Sequence, residues 1–257
     1  MQKYIPRGKN MKINIETMHK LSKIKNSAYD AIKIEYLYHS NKLEGSTFSK
    51  ENLIDLLEQK QVKGEHFLDD VIETRNSLEL FDTVINTLEE PFDKYLLWEW
   101  HRILKKGSVD DEIDNIGKWK KYSNTLSKVD LKLCEPHLVE NNMFNLIEDW
   151  KESEKDIYAI ADFYQKFEHI HPFQDGNGRI GRFIILRQCI ENEIDLIAID
   201  DKYNKEYRNA LYKAQKTGDI QQLVEVFRNS QQRLDEKLVE FKGTIEQVAR
   251  EIESDKK

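Results

Sequence analysis

At 257 residues, with 39% hydrophobic and 34% charged side chains, the chain can bury a full core and does not have the composition of a disordered protein. Its formal charge of -7 argues against a general nucleic-acid binder, which would normally present a basic face. The longest apolar run near the densest motif, "FIIL", is far short of the roughly 20 residues that cross a bilayer, and the opening "MQKYIPRGKNMKINIE" has no apolar core of a secretory signal. A cytoplasmic protein with neither nucleic acid nor membrane as partner is expected. Cys134 and Cys189 form no CxxC pair and read as small buried hydrophobes.

In chain order, "SAYDAIKIEYLYHSNKLEG" (27–45) predicts a helix stopped by Gly45, and "SKENLIDLLEQKQ" a second with Ser49 as N-cap. "HFLDDVIETRNSLELFDTVINTLEE" repeats apolar residues at helical period and closes before Pro91; "FDKYLLWEWHRILKKG" ends at Gly107. Residues 108–136 have no clean period, and within them "SKVDLKL" alternates apolar with polar, so a long loop with a short β-hairpin is expected there. Helices resume at 138–153, 155–170, 179–193, 202–217 and 219 to about 252. No internal repeat or low-complexity linker divides the chain, and the fold class expected is all-α. Three regions make one compact unit: 1–90 with the helix at about 27–45, a core at 91–228, and a C-terminal helix at 229–257. The tail's apolar positions 234, 238, 241, 245 and 248 can pack on that core or against a second copy, as a homodimer.

The chemistry is densest in "HPFQDGNGRIGR", residues 171–182. In the preceding helix, positions 157, 160, 161, 164, 167 and 171 share a face, so His171 ends a buried stripe and points inward. Alone, an inward histidine is more often a satisfied core residue than a catalyst. Pro172 and "DGNG" then make a turn, and Gly176, Asn177 and Gly178 tolerate the positive φ that turns successive N–H groups into an anion nest. The next helix adds its unpaired N–H groups, and Arg179 and Arg182, three apart, bring two guanidiniums to the same place. Such a site suits a polyphosphate. Asp175 would sit awkwardly beside an anion unless Mg²⁺ accompanied it, held by one carboxylate and phosphate oxygens. His171, substantially neutral at pH 7, can then take a proton from an attacking hydroxyl.

These residues are similar to a known signature. His171-Pro172-Phe173-Gln174-Asp175-Gly176-Asn177-Gly178-Arg179-Ile180-Gly181-Arg182 resembles the HxFx[D/E]GNGRxxR motif of Fic-domain proteins at every specified position. The resemblance implies a Fic-type helical domain with a short β-hairpin flap. It implies transfer of AMP from ATP, the co-substrate, to a Ser, Thr or Tyr hydroxyl of a protein, with Mg²⁺ as cofactor. His171 would be the base, Asp175 the metal carboxylate, and Gly176, Asn177 and Gly178 the nest for the α-phosphoryl group. Arg179 and Arg182 would hold the β- and γ-phosphates. The flap, "LSKVDLKLCEP" (126–136), would bind the protein substrate by strand addition, and self-modification is expected. Lys120 stands where relatives commonly have Arg. "YNKEYRNALYKAQKTGD" resembles the segment lining the adenine pocket; Tyr207 matches it, and Gln215 replaces a common Asn.

"SNKLEG" would mean little without that core. Ser40, Glu44 and Gly45 fit the family's inhibitory motif [S/T]xxxE[G/N], in which the glutamate pairs with the second motif arginine, here Arg182. The resemblance therefore implies autoinhibition by Glu44. Other readings stay open at this point: a different donor nucleotide, removal of AMP with Glu44 placing a water, or a non-catalytic nucleotide-sensing module. An intact His171 and Asp175 count against the last.

Overall fold

The computed structural model describes residues 13–125 and 130–256. Among them are α1 (Ile15–Leu21), α2 (Ala28–Leu43), α3 (Lys50–Gln59), α4 (Leu68–Asn86), α5 (Lys94–Lys105), the single turn α6 (Val109–Glu112), α7 (Val139–Glu152), α8 (Ile157–Ile170), α9 (Asn177–Glu191), α10 (Asn204–Thr217), α11 (Gln221–Lys237) and α12 (Lys242–Asp255). Side-chain caps fix several starts: Ser27, Ser49, Asp93 and Asp156 each accept a hydrogen bond from an N–H in the first turn of α2, α3, α5 and α8. No described helix is long and apolar enough to cross a membrane.

Two expectations need correction. The run from 219 to about 252 is not one helix, because a 3-10 turn at Val239–Phe241 separates α11 from α12. That turn brings α12 against α1, where Lys20 meets Asp255 at 3.2 Å. The β-hairpin is not seen. Residues 126–129 of the expected flap lie outside the described residues, and no strand occurs among those described. Over 130–135 the chain is irregular, with Leu133 buried and the Cys134 N–H donating to the His169 carbonyl at 3.3 Å. In this part, apolar–polar alternation marks a segment laid on the end of α8 rather than a ladder of paired strands.

The organising element is α9. It packs against α8, α4, α5, α2 and α1, and every residue from Arg179 to Ile190 is buried. A helix buried all round has no polar face on which to keep its charges. Its three arginines must therefore be neutralised by whatever lies opposite. Arg187 shows how. Its guanidinium donates to the carbonyls of Thr87 at 3.0 Å, Leu88 at 3.1 Å and Glu90 at 2.5 Å, just past the end of α4, and to Glu191 at 2.6 Å. Those carbonyls belong to the turn that leaves α4, whose Thr87 carbonyl also accepts the Glu90 N–H at 3.0 Å, so one side chain fixes that turn and anchors α9 to it. Replacing Arg187 with Ala would leave three carbonyls and a half-buried carboxylate without that partner. The substitution is expected to cost about 3 kcal/mol, read as a lowered urea midpoint with an unchanged slope.

Candidate active site

His171 is the C-cap of α8 and takes the left-handed conformation, φ 50°, ψ 62°. Its N–H still bonds the Phe167 carbonyl at 2.8 Å, so the helix ends there and the ring is aimed by the cap. Lys120 braces the same turn. Its N–H donates to the Pro172 carbonyl at 2.8 Å and its ammonium to the Ile170 carbonyl at 3.2 Å and to Asn124 at 2.9 Å. Burial first, and then the Lys120 charge, push His171 down to about 4. The imidazole is thus neutral at physiological pH.

Asn177 spends its side chain on the turn rather than on a ligand. It accepts from the Phe173 N–H at 2.8 Å and donates to the Phe173 carbonyl at 2.9 Å. The ring of Phe173 stacks on His101, centroids 4.1 Å apart and 3° from parallel. His101 Nδ1 accepts the Gly117 N–H at 3.0 Å, which leaves the proton on Nε2 to donate to the Asp175 carbonyl at 3.0 Å. Burial pushes His101 down to about 4, so that tautomer persists. Gly176 follows in αL, φ 78°, and α9 begins at Asn177, so the N–H groups of Asn177, Gly178 and Arg179 start a helix and have no partners within it. That is an anion-binding helix start.

Asp175 is half-exposed. Burial raises its carboxyl, but Lys105 and Arg179 outweigh this and hold it at about 2. Lys105 meets it at 2.5 Å, and Arg179 at 3.7 Å. Arg179 is itself paired with Glu73 of α4. Arg182 donates from Nε to the Ser40 hydroxyl at 2.8 Å, and from Nη2 to the Ser40 carbonyl at 3.0 Å and Glu44 Oε1 at 2.7 Å. Glu44 is the C-cap of α2, and Gly45 beyond it has φ 89°. Burial would raise the Glu44 carboxyl, but Arg182, then Arg179, lower it. The carboxylate lies so close over Gly178 that a Cβ there would collide with Oε1.

The structure therefore brings together His171, Asp175, the Gly176–Gly178 turn, Arg179, Arg182, Ser40 and Glu44. Tyr207 is nearby but buried, its hydroxyl 2.5 Å from that of Tyr164. A separate cavity of about 310 Å³ at the α7–α8–α10 junction is lined by Gln165, His169, Ala214 and Gln215. Sequence reading passed over Glu73, His101 and Lys105 altogether, and over the brace that Lys120 provides. It also missed Glu168, a buried carboxyl pushed up to about 7 by burial, with Arg182 opposing and Glu44 adding. In the sequence these residues were ordinary members of helical patterns, and only "WHRIL", with a histidine inside an apolar stretch, carried any signal.

Both depressed histidines have a consequence. Below the ordinary histidine pKa of about 6.5 the unfolded chain binds more protons than the native one. The stability contributed by the neutral rings is complete above that pH and is lost as pH falls toward about 4. In NMR titrations the His101 and His171 rings should keep neutral shifts down to about pH 5; midpoints near 6.5 would contradict the burial argument.

A model of the Fic/DOC family matches residues 91–189. A probable protein adenylyltransferase of Aquifex aeolicus is 35% identical over 83 residues, 31% of this chain, which spans only 25% of that protein's length. A Fido domain-containing protein of Dictyostelium discoideum is 30% identical over 104 residues, 37% of this chain and 73% of the relative. Among solved structures, a Fic domain containing signaling protein from Bacteroides thetaiotaomicron superposes with a TM-score of 0.71 at 19% identity, over 93% of this chain and 91% of that one. That likeness concerns the fold. The family match spans the helices that carry His171, the glycine turn, Arg179 and Arg182, and one relative is covered over most of its length: the chain belongs to the Fic/DOC family.

Proposed function

We propose that the protein transfers AMP from ATP to a hydroxyl group of a protein, and that Glu44 restrains the reaction. The observation that carries this reading is the neutral, capped His171 beside a helix-start nest whose second arginine, Arg182, is already occupied by Glu44. In the reaction the target's hydroxyl oxygen attacks the α-phosphorus and His171 takes its proton. The bond from that phosphorus to the bridging oxygen breaks, and pyrophosphate leaves on Arg179 and Arg182. The unpartnered N–H groups of the nest stabilise the charge on the α-phosphoryl oxygens.

Asp175 fits a divalent cation. It is half-exposed and ionised, and its ammonium and guanidinium partners among the described residues all meet Oδ2. Mg²⁺ held by Asp175 would neutralise charge on the α- and β-phosphates. The adenine-side reading rests on the family segment at Tyr207 and on the cavity edged by Gln215. The protein substrate is assigned to the segment 126–136, a role that strand addition along that stretch would fill.

Glu44 competes with the γ-phosphate for Arg182, and its own negative charge repels a phosphate there. Its contact with Gly178 also favours a second reading, in which Glu44 directs a water to remove AMP from a modified protein. One experiment addresses both. Purified protein is incubated with Mg²⁺ and α-³²P-ATP or γ-³²P-ATP, as wild type, Glu44→Gly and His171→Ala. Transfer under restraint gives protein-bound label from the α-position alone, increased at least about tenfold by Glu44→Gly, the equivalent of about 1.4 kcal/mol, and absent in His171→Ala. Equal labelling of wild type and Glu44→Gly would remove the restraint. Label from the γ-position would replace AMP transfer with phosphorylation. Loss of label from pre-modified protein on wild type but not on Glu44→Gly would favour the hydrolytic reading.

A further inference from the structure

Lys105 is the last residue of α5 and only 2% exposed, yet its charge lies at the centre of the site. Its ammonium has three N–H groups and meets three carboxylates: Glu73 Oε1 of α4, Asp110 Oδ2 of α6 at 2.7 Å, and Asp175 Oδ2 in the α8–α9 turn at 2.5 Å. It donates hydrogen bonds to Glu73 and Asp175, and Asp110 adds an ion pair. Its backbone is fixed as well. Ser108 donates to the Lys105 carbonyl from both N–H, at 3.1 Å, and hydroxyl, at 2.7 Å, while Asn76 of α4 holds the carbonyls of Leu104 and Lys106 at 3.1 and 2.7 Å. The ammonium is therefore a fixed point, and Asp175, on a turn, is the member that it aims.

The three carboxylates have a second property. One oxygen from each lies within 4.8 Å of the others, a grouping that could by itself gather a divalent ion. The lysine occupies the middle of that grouping, and no metal can bind there while it stays. Glu73 also hands its other oxygen to Arg179, so the same cluster sets the carboxylate that faces a cation and the guanidinium that faces a phosphate.

We propose that Lys105 is a positioning residue of this site: its ammonium holds Asp175 by Oδ2, and it keeps a divalent cation out of the Glu73–Asp110–Asp175 triad in the absence of nucleotide. The role rests on the reading of Asp175 as the metal-side carboxylate, but its test uses no transfer reaction. Failure of AMP transfer and failure of this role are thus separate results.

Mn²⁺ binding to the full chain without nucleotide is followed by loss of the free-ion electron paramagnetic resonance signal. The wild type and Lys105→Arg, which keeps the charge, should bind weakly. Lys105→Met and the neutral hydrogen-bonding Lys105→Gln should take up one Mn²⁺ per chain at least about tenfold more tightly. Adding Asp175→Asn to Lys105→Met should abolish that gain. Thermal melts establish which variants are folded. The proposal is overturned if the wild type binds as tightly as the variants, if folded Lys105→Met and Lys105→Gln bind no better than wild type, or if the gain survives Asp175→Asn. It also falls if neither neutral variant folds, because Lys105 would then be a structural counter-ion.

Discussion

Three guanidiniums buried on one helix are the constraint around which this molecule is arranged. A helix as enclosed as α9 would ordinarily be apolar throughout, and an unpaired charge in such a place costs several kcal/mol. Each arginine is answered by a different part of the chain. Arg187 takes the carbonyls beyond α4, Arg179 takes Glu73 within α4, and Arg182 takes Ser40 and Glu44 at the end of α2. Structure and site are therefore coupled by charge balance: the elements that complete the core around α9 also occupy its N-terminal end.

That balance explains why carboxylates lie against the start of α9, where the proposed function places an anion. Without nearby carboxylates, Arg179 and Arg182 would be buried, unpaired cations beside a helix start that is itself positive. Glu44 and Glu73 relieve that potential, and a cleft of about 150 Å³ lined by both carboxylates and Arg179 marks the place. On the proposed function, a phosphate that enters would have to displace or reorient at least one of them, so its affinity would be a difference between two occupied states rather than the filling of a vacancy.

The legible parts of the sequence were those whose meaning is local. Gly176 with positive φ, His171 closing a buried stripe and the arginines three apart on one helix follow from spacing within twelve residues, and the structure keeps them together. The boundaries of α2 and α8 were legible for the same reason, because caps and periodicity are near-neighbour effects. Glu44 became meaningful only through resemblance, since nothing in "SNKLEG" tells of an arginine 138 residues away. Glu73, His101 and Lys105 were silent because their partners are 106, 74 and 70 residues distant, and each occupied a position where a helix would accept many residues. The hairpin is not seen over 130–135 for the opposite reason. Alternation reports which side chains face inward, and a coil laid against α8 alternates as well as a strand does.

The same charges bear on how the restraint proposed for Glu44 would be lifted. Helix α2 is held along its length by contacts that have nothing to do with nucleotide. Lys33 meets Asp82 at 2.7 Å, His39 meets Asp201 at 2.7 Å, Glu35 pairs with Lys237 at 2.7 Å, and Arg208 takes the Leu43 carbonyl at 2.8 Å. Dislodging the whole helix would break half-buried contacts in several places at once. Glu44, by contrast, lies past the last helical residue, beside a glycine at positive φ, with its side chain about one-third exposed. Rotation of that one side chain would free Arg182 from its carboxylate while leaving the contacts of the guanidinium to Ser40. The helix is the anchor, and the carboxylate at its end is the part that can move.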